Sequence, residues 1–358
     1  MKLVEVISTV LTAPDTPAVL AGLVRELGKT PVQVSDRAGF VANPLLLPYL
    51  NHAVHLLETG HAPRDDIDEA ATGRLGLPMG PLALLDLIGP DTSLSVLEAL
   101  QTEFGGSRYA PTPLLRRRVE AGLTGRKSGR GFYEYRGQGA PAAPAEEPGD
   151  NPALVPPPAT VALIENGAAP QSADLADAIA AAGISVVRHT APEAGLVIVA
   201  AEPGRRVLDA ALASGRPADI VGIHLTDKTK PRLAELVITQ LTAPGKAATG
   251  AALTARLGLG TVTSRDRPGF LTTAIAYPQL NDAIRMVQDG HATPADIDTA
   301  MMLGCGYPRG PLQMLDDIGP APVLDVLTAM HSCSGDPAFA PAPLLAEPAA
   351  AGTALRRK

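Results

Sequence analysis

The sequence predicts a mainly α chain in which two copies of one helical unit flank a small α/β unit, and three observations carry that prediction. Laid on itself at an offset of 230 residues, the chain realigns over its first ninety positions without a gap, and about four in ten of those positions are identical. "DRAGF" at 36–40 returns as "DRPGF" at 266–270, "GHAPRDDIDEA" at 60–70 as "GHATPADIDTA" at 290–300, and "PMGPLALLDLIGP" at 78–90 as "PRGPLQMLDDIGP" at 308–320. Within each copy apolar residues recur at helical spacing, whereas from Thr160 they gather into short β-branched runs broken by a helical stretch.

Taken in order, Leu3, Val4, Val6 and Ile7 form a run that suits a buried strand, and Glu5 interrupts it. A helix follows with Thr16 as its expected N-cap, Pro17 at its first position, Leu20, Leu23, Val24 and Leu27 at helical spacing, and Gly28 as left-handed C-cap. A strand around Val32 and Val34 leads through a turn at Gly39 into a helix over 44–58, kinked by Pro48 and closed by Gly60. Another helix starts near Pro63 with Asp65 and Asp66 at its positive end, and others cover 82–87, 93–103 and 112–122. The second copy repeats this plan. Between the copies, "TVALIENG", a helix over 173–182 ended by Gly183, "ISVV" and "GLVIVAA" read as a βαβ unit with a parallel sheet.

The expected domains are therefore a first helical domain at 1–136, a Pro/Ala-rich solvated linker at 137–158, an α/β unit at 159–230, a second helical domain at 231–345, and a tail at 346–358. A formal charge of −7 argues against a nucleic-acid surface. No apolar run approaches the roughly 20 residues of a membrane span, and Lys2 with Glu5 makes a poor signal peptide, so no membrane and a cytoplasmic location are expected. Cys305 and Cys333 lie far apart without metal spacing, which predicts neither a disulfide framework nor a metal site.

The blocks "KLVEVI", "GFVAN" at 39–43, "GLPMGP" leading into "LDLIG", and "GRKSGRGFYEY" at 125–135 occur in order and together resemble the C-terminal domain of the 3-hydroxyacyl-CoA dehydrogenases. The resemblance covers 1–136 and, more loosely, 231–345, where the terminal Gly-Phe-Tyr block is missing. It implies a mainly α fold with two such helical domains flanking a degenerate Rossmann-like unit. It also implies an NAD-dependent oxidation of a 3-hydroxyacyl-CoA to the 3-oxoacyl-CoA, in fatty-acid or aromatic-acid degradation. In that family a histidine takes the hydroxyl proton and a glutamate orients it. Glu5 matches the glutamate and Asn43 the substrate-side asparagine. Met1 stands where the family has an internal methionine, so the matching histidine and the nucleotide-binding domain that holds most of the NAD are expected ahead of it. In the second copy His224 and Glu235 stand at the histidine and glutamate positions with one residue fewer between them, Asp227 replaces the motif's asparagine, and Thr273 replaces Asn43. Only Gly167 is available where a dinucleotide fold needs a glycine-rich turn, so the second module is expected to bind no NAD.

Plainer readings stand beside these. Glu5 also suits a strand-end carboxylate paired with an arginine, Asn43 a helix N-cap, and His224 an ordinary core or surface histidine. His61 and His291 follow helix-ending glycines and read as partners of helix C-terminal dipoles. Gly80 and Gly310 read as turn glycines, and Arg126, Lys127 and Arg130 as an exposed basic loop that could also meet CoA phosphates. The two helical copies are expected to pack as an intramolecular pseudo-dimer, or the chain to form a homo-oligomer. The alternative function is a non-catalytic acyl-CoA-binding or assembly module that lacks a competent NAD site.

Overall fold

A computed structural model describes residues 2–136, 155–165, 170–188, 194–226 and 233–356. Most of the expected linker lies outside the described residues, as do Met1, Gly167 and Asp227. The first repeat runs β1 (Leu3–Ser8), α1 (Thr16–Glu26), β2 (Thr30–Ser35), α2 (Ala42–Glu58), α3 (Arg64–Leu75), α4 (Pro81–Ile88), α5 (Pro90–Phe104) and α6 (Pro113–Glu120). Between the repeats lie β3 (Thr160–Glu165), α7 (Pro170–Ala181), β4 (Ser185–Arg188), β5 (Leu196–Ala200), α8 (Val207–Ala213) and β6 (Ile220–Leu225). The second repeat runs β7 (Leu233–Ile238), α9 (Lys246–Arg256), β8 (Gly260–Arg265), α10 (Thr272–Gln288), α11 (Pro294–Cys305), α12 (Pro311–Ile318) and α13 (Pro320–Ser334), followed by α14 (Ala346–Ala351). From β1 to α5 each element recurs 230 residues later at the same length.

The local chemistry explains most of these elements, with one correction. Thr16 is the first residue of α1 rather than its cap; Asp15 holds that position and makes no side-chain cap bond. Gly28 does take the left-handed conformation that ends the helix, at φ 68°. Pro48 and Pro278 occupy equivalent places inside α2 and α10. Gly310 is demanded by a close approach as well as by its turn. The Asp298 carboxylate accepts from Leu312 N at 2.8 Å and Gln313 N at 3.0 Å to cap α12, and a Cβ on Gly310 would lie 2.1 Å from Asp298 Cγ.

The chain divides into two compact units that cut across the repeats: Met1–His55, Gly76–Pro141 and Ile275–Lys358 form one, and Leu56–Leu75 with Ala142–Ala274 form the other. In the first unit β1 and β2 make a two-stranded parallel sheet against which α11 of the second repeat packs. The Asp86 carboxylate holds the Gly-Phe-Tyr block through Phe132 N at 2.9 Å, Tyr133 N at 2.8 Å and Tyr135 Oη at 3.0 Å. The second repeat lacks that block, yet Asp316 receives the tail instead, accepting from Leu355 N at 2.7 Å and Arg356 Nε at 3.0 Å.

In the second unit the strands form one six-stranded sheet in the order β4-β3-β5-β6-β7-β8, with β6 and β7 antiparallel and the other pairs parallel. Alternation along the strands buries both faces. Leu163, Ile198, Val221 and Leu236 meet Leu175, Ile179 and Leu253 on one side. Ala162, Val197, Val199 and Val237 meet Val207, Ala211 and Phe270 on the other. Here α3 of the first repeat packs on β7 and β8. No helix among the described residues is long and apolar enough to cross a membrane.

Candidate functional site

Glu5 lies mid-strand in β1, opposite Val32 of β2, and is half-buried. Its Oε1 accepts a hydrogen bond from Val41 N at 3.0 Å. That N–H is presented by a tight turn in which Gly39 and Phe40 both have positive φ, 74° and 55°. The second is uncommon for a residue with a side chain. A Cβ on Gly39 would also press within 3.0 Å of Pro44 Cδ, so glycine fits for space as well as conformation. The Phe40 carbonyl accepts from His291 Nε2 at 2.8 Å. Asn43 falls inside the first turn of α2 and is exposed, so it is not the N-cap of that helix.

Glu235 occupies the equivalent place in β7 but between two strands, opposite His224 of β6 and Val262 of β8. Directly opposed residues of an antiparallel pair project to the same face, so the structure brings His224 and Glu235 together. Both are buried: His224 is 6% exposed and Glu235 0%. The Glu235 Oε1 accepts from Ser264 Oγ at 2.8 Å and, at short range, from Leu271 N. Its Oε2 accepts from Thr272 N at 3.2 Å and Thr272 Oγ1 at 2.9 Å. Burial pushes the Glu235 carboxyl above the usual carboxylate range, and those donors oppose the shift. His224 Nδ1 faces Ala201 O at 3.1 Å, and its ring lies 5.9 Å from that of Phe270. Thr273, at the position of Asn43, is buried with its hydroxyl donating to Gly269 O.

Two residues that sequence reasoning passed over decide this contrast. Ser264 and Thr272 saturate Glu235, whereas the first repeat carries Val34 and Ala42 at those positions, which have no hydroxyl to offer. His291 clasps the turn beside Glu5, and burial holds its ring below the ordinary histidine pKa. The repeated position of His61 and His291 was the one available signal.

A second difference lies in the first unit. A cleft of about 240 Å³ opens beside the Phe40 turn, lined by Arg37, Arg108, Tyr109, Asp282 and His291 among others. In it Arg108 Nε donates to Asp282 Oδ2 at 2.6 Å, with the two side chains only 10% and 8% exposed. Burial beside Asp282 pushes the Tyr109 hydroxyl up to about 12. At the equivalent positions stand Ala338, His52 and Phe339, and the last two meet edge to face with ring centroids 5.5 Å apart.

A dinucleotide fold sets the pyrophosphate against the turn that follows its first strand. At the C-terminal end of β3, where a pyrophosphate would approach, stands the carboxylate of Glu165, and Ser172 Oγ donates to it at 3.2 Å. A carboxylate opposes an anion at that place, so these residues do not fit NAD. The turn at 166–169 lies outside the described residues.

A family profile described as 3-hydroxyacyl-CoA dehydrogenase, C-terminal domain, matches residues 39–135 and again 269–358, together just over half of the chain. The probable 3-hydroxybutyryl-CoA dehydrogenase of Bacillus subtilis is 49% identical over 135 residues, which are 38% of this chain and 47% of that protein. The mitochondrial hydroxyacyl-coenzyme A dehydrogenase of Homo sapiens is 41% identical over 137 residues, 38% of this chain and 44% of that protein. The chain thus spans about half the length of the curated relatives it matches. The crystal structure of 3-hydroxybutyryl-CoA dehydrogenase from Escherichia coli matches with a TM-score of 0.75 and 26% identity, covering 98% of this chain and 68% of that one.

Proposed function

The chain belongs to the 3-hydroxyacyl-CoA dehydrogenase family, and on that premise we propose that it supplies the glutamate-bearing, substrate-binding part of an NAD-dependent oxidation of a 3-hydroxyacyl-CoA to the 3-oxoacyl-CoA. One observation carries the reading. Around Glu5 the surfaces that the second repeat covers with an α/β unit are open. On α1, Val19, Leu20, Leu23 and Leu27 are exposed, whereas Leu253, the counterpart of Leu23, is fully buried. Likewise, among the described residues, β1 pairs only with β2, while β7 has β6 on its other side.

The second repeat therefore serves as a template. A dinucleotide-binding α/β domain docks on the apolar face of α1, adds a strand antiparallel to β1, and brings a histidine opposite Glu5 as His224 stands opposite Glu235. NAD, held by that domain, supplies the hydride acceptor for C3. Glu5, fixed through Oε1 by Val41 N, orients the histidine with its other oxygen and stabilises the imidazolium that forms when the C3 hydroxyl proton is taken. Asn43, exposed at the start of α2, faces substrate. His224 and Glu235 are a retained structural pair in this reading, since burial and four donors leave the carboxylate no capacity for proton transfer. The two repeats act as an intramolecular pseudo-dimer, a role supported by α11 packing on β1 and β2 and α3 on β7 and β8.

The full chain is assayed with NAD and 3-hydroxybutyryl-CoA, alone and mixed with the separately produced dinucleotide-binding half of the Bacillus subtilis relative. NADH forms in the mixture beyond the amount given by that half alone, and none forms with the chain by itself. NADH from the chain alone contradicts the assignment to Glu5. The acid at the end of β3 favours the second reading, a non-catalytic acyl-CoA-binding or assembly module; acyl-CoA binding without turnover in the mixture is its signature.

A further inference from the structure

His61 and His291 occupy equivalent positions, and the reaction proposed above uses neither. His291 Nε2 lies 2.8 Å from Phe40 O, and His61 Nε2 lies 2.6 Å from Phe270 O. Each contact joins a histidine of one repeat to the Gly-Phe turn of the other. The backbone reinforces both: Ser35 N donates to His291 O at 3.1 Å, and Arg265 N donates to His61 O at 2.8 Å.

We propose that His61 and His291 are reciprocal positioning residues, each setting the glutamate of the opposite repeat by gripping the peptide group that binds it. The Phe40 carbonyl and the Val41 N–H belong to one planar, trans peptide unit, so they point in opposite directions and turn together. Holding the oxygen with an imidazole N–H therefore aims the N–H at Glu5 Oε1. The same unit in the second repeat aims Leu271 N–H at Glu235 Oε1. A donor on the carbonyl also polarises the peptide and strengthens the N–H as a donor. The turns need such a hold, because Phe40 and Phe270 sit at φ 55° and 45°, where a side chain is strained. A carbonyl only accepts, so the proton on each ring must be on Nε2. The buried Nδ1 of His291, which has no hydrogen-bond partner among the described residues, is the bare nitrogen of that tautomer. The catalytic consequence for His291 rests on the reading of Glu5 given above; the clasp itself does not.

The test reads the peptide groups directly in the full chain and needs no turnover. Ring 15N shifts report the Nε2–H tautomer for both histidines; an Nδ1–H ring at either position overturns the proposal. His291→Leu speeds hydrogen exchange at Val41 by about fivefold, the equivalent of one ordinary hydrogen bond, and leaves Leu271 unchanged. His61→Leu does the reverse, and His291→Gln, which keeps an N–H donor, restores Val41. Acceleration of both amides by one substitution, or of neither, overturns it. Where a leucine variant does not fold, the tautomers and the glutamine variant decide. In the reconstituted reaction His291→Leu lowers kcat by about fivefold at constant KM and His291→Gln recovers it; an unchanged kcat alongside faster Val41 exchange overturns the positioning role.

Discussion

Glu5 and Glu235 stand at the same point of the same repeat, on strands of the same length, beside the same Gly-Phe turn, yet their surroundings differ. Glu5 is half-buried on a two-stranded sheet and takes its hydrogen bond from a backbone N–H. Glu235 is fully buried inside a six-stranded sheet, with hydroxyl donors added to the backbone ones. A carboxylate becomes structural when its neighbours use up its lone pairs and exclude water, and it stays available for chemistry when they do not. Here two hydroxyl-bearing residues and one extra strand account for the difference.

The largest expected effect separates the two carboxylates by stability. Glu235→Ala leaves several buried donors without an acceptor and costs about 4 kcal/mol in urea unfolding, whereas Glu5→Ala costs less than about 1 kcal/mol. Equal losses would break the comparison. Next comes the helix that covers each site: Leu253→Ala costs about 3 kcal/mol through lost burial and a cavity, while Leu23→Ala on the open face costs about 0.5 kcal/mol.

Much of this architecture was legible in the sequence, because helix spacing, caps and repeats are local signals. Pro17, Gly28, Gly60 and the recurring "GP" blocks mark elements that the structure places within a few residues of expectation. The fate of Glu235 was not legible. Ser264 and Thr272 become its donors only when β7 pairs in register with β8 and the following turn folds over it, and nothing near Glu235 in the chain announces either. The ring contacts of His61 and His291 were hidden for the same reason. They do follow helix-ending glycines, but their ring partners lie 209 and 251 residues away. The tail at 346–358 carried no motif, and it gained a role only because Asp316 matches Asp86 and lacks a Gly-Phe-Tyr block to bind.

A pH measurement sharpens the contrast further. Burial raises the Asp66 carboxyl, which accepts from Thr263 N at 2.7 Å, to about 6. Its folded pKa thus exceeds the unfolded one, so it contributes stability below about pH 4 that is lost as the pH rises through about 6. Asp66→Asn removes about 3 kcal/mol of that pH dependence. Urea midpoints with the same slope in both proteins would show that Asp66 is not the titrating group. The smallest expected effect converts one site toward the other: Thr272→Ala installs the first repeat's residue, deletes one donor from Glu235, and costs about 1 kcal/mol.

The central claim, that Glu5 works while Glu235 only holds structure, is tested most directly by the initial rate of NADH formation in the reconstituted mixture, with Glu5→Gln and Glu235→Gln compared. Glu5→Gln lowers kcat by about a hundredfold or more, and Glu235→Gln leaves it within about twofold. The reverse pattern, or equal loss from both, contradicts the account.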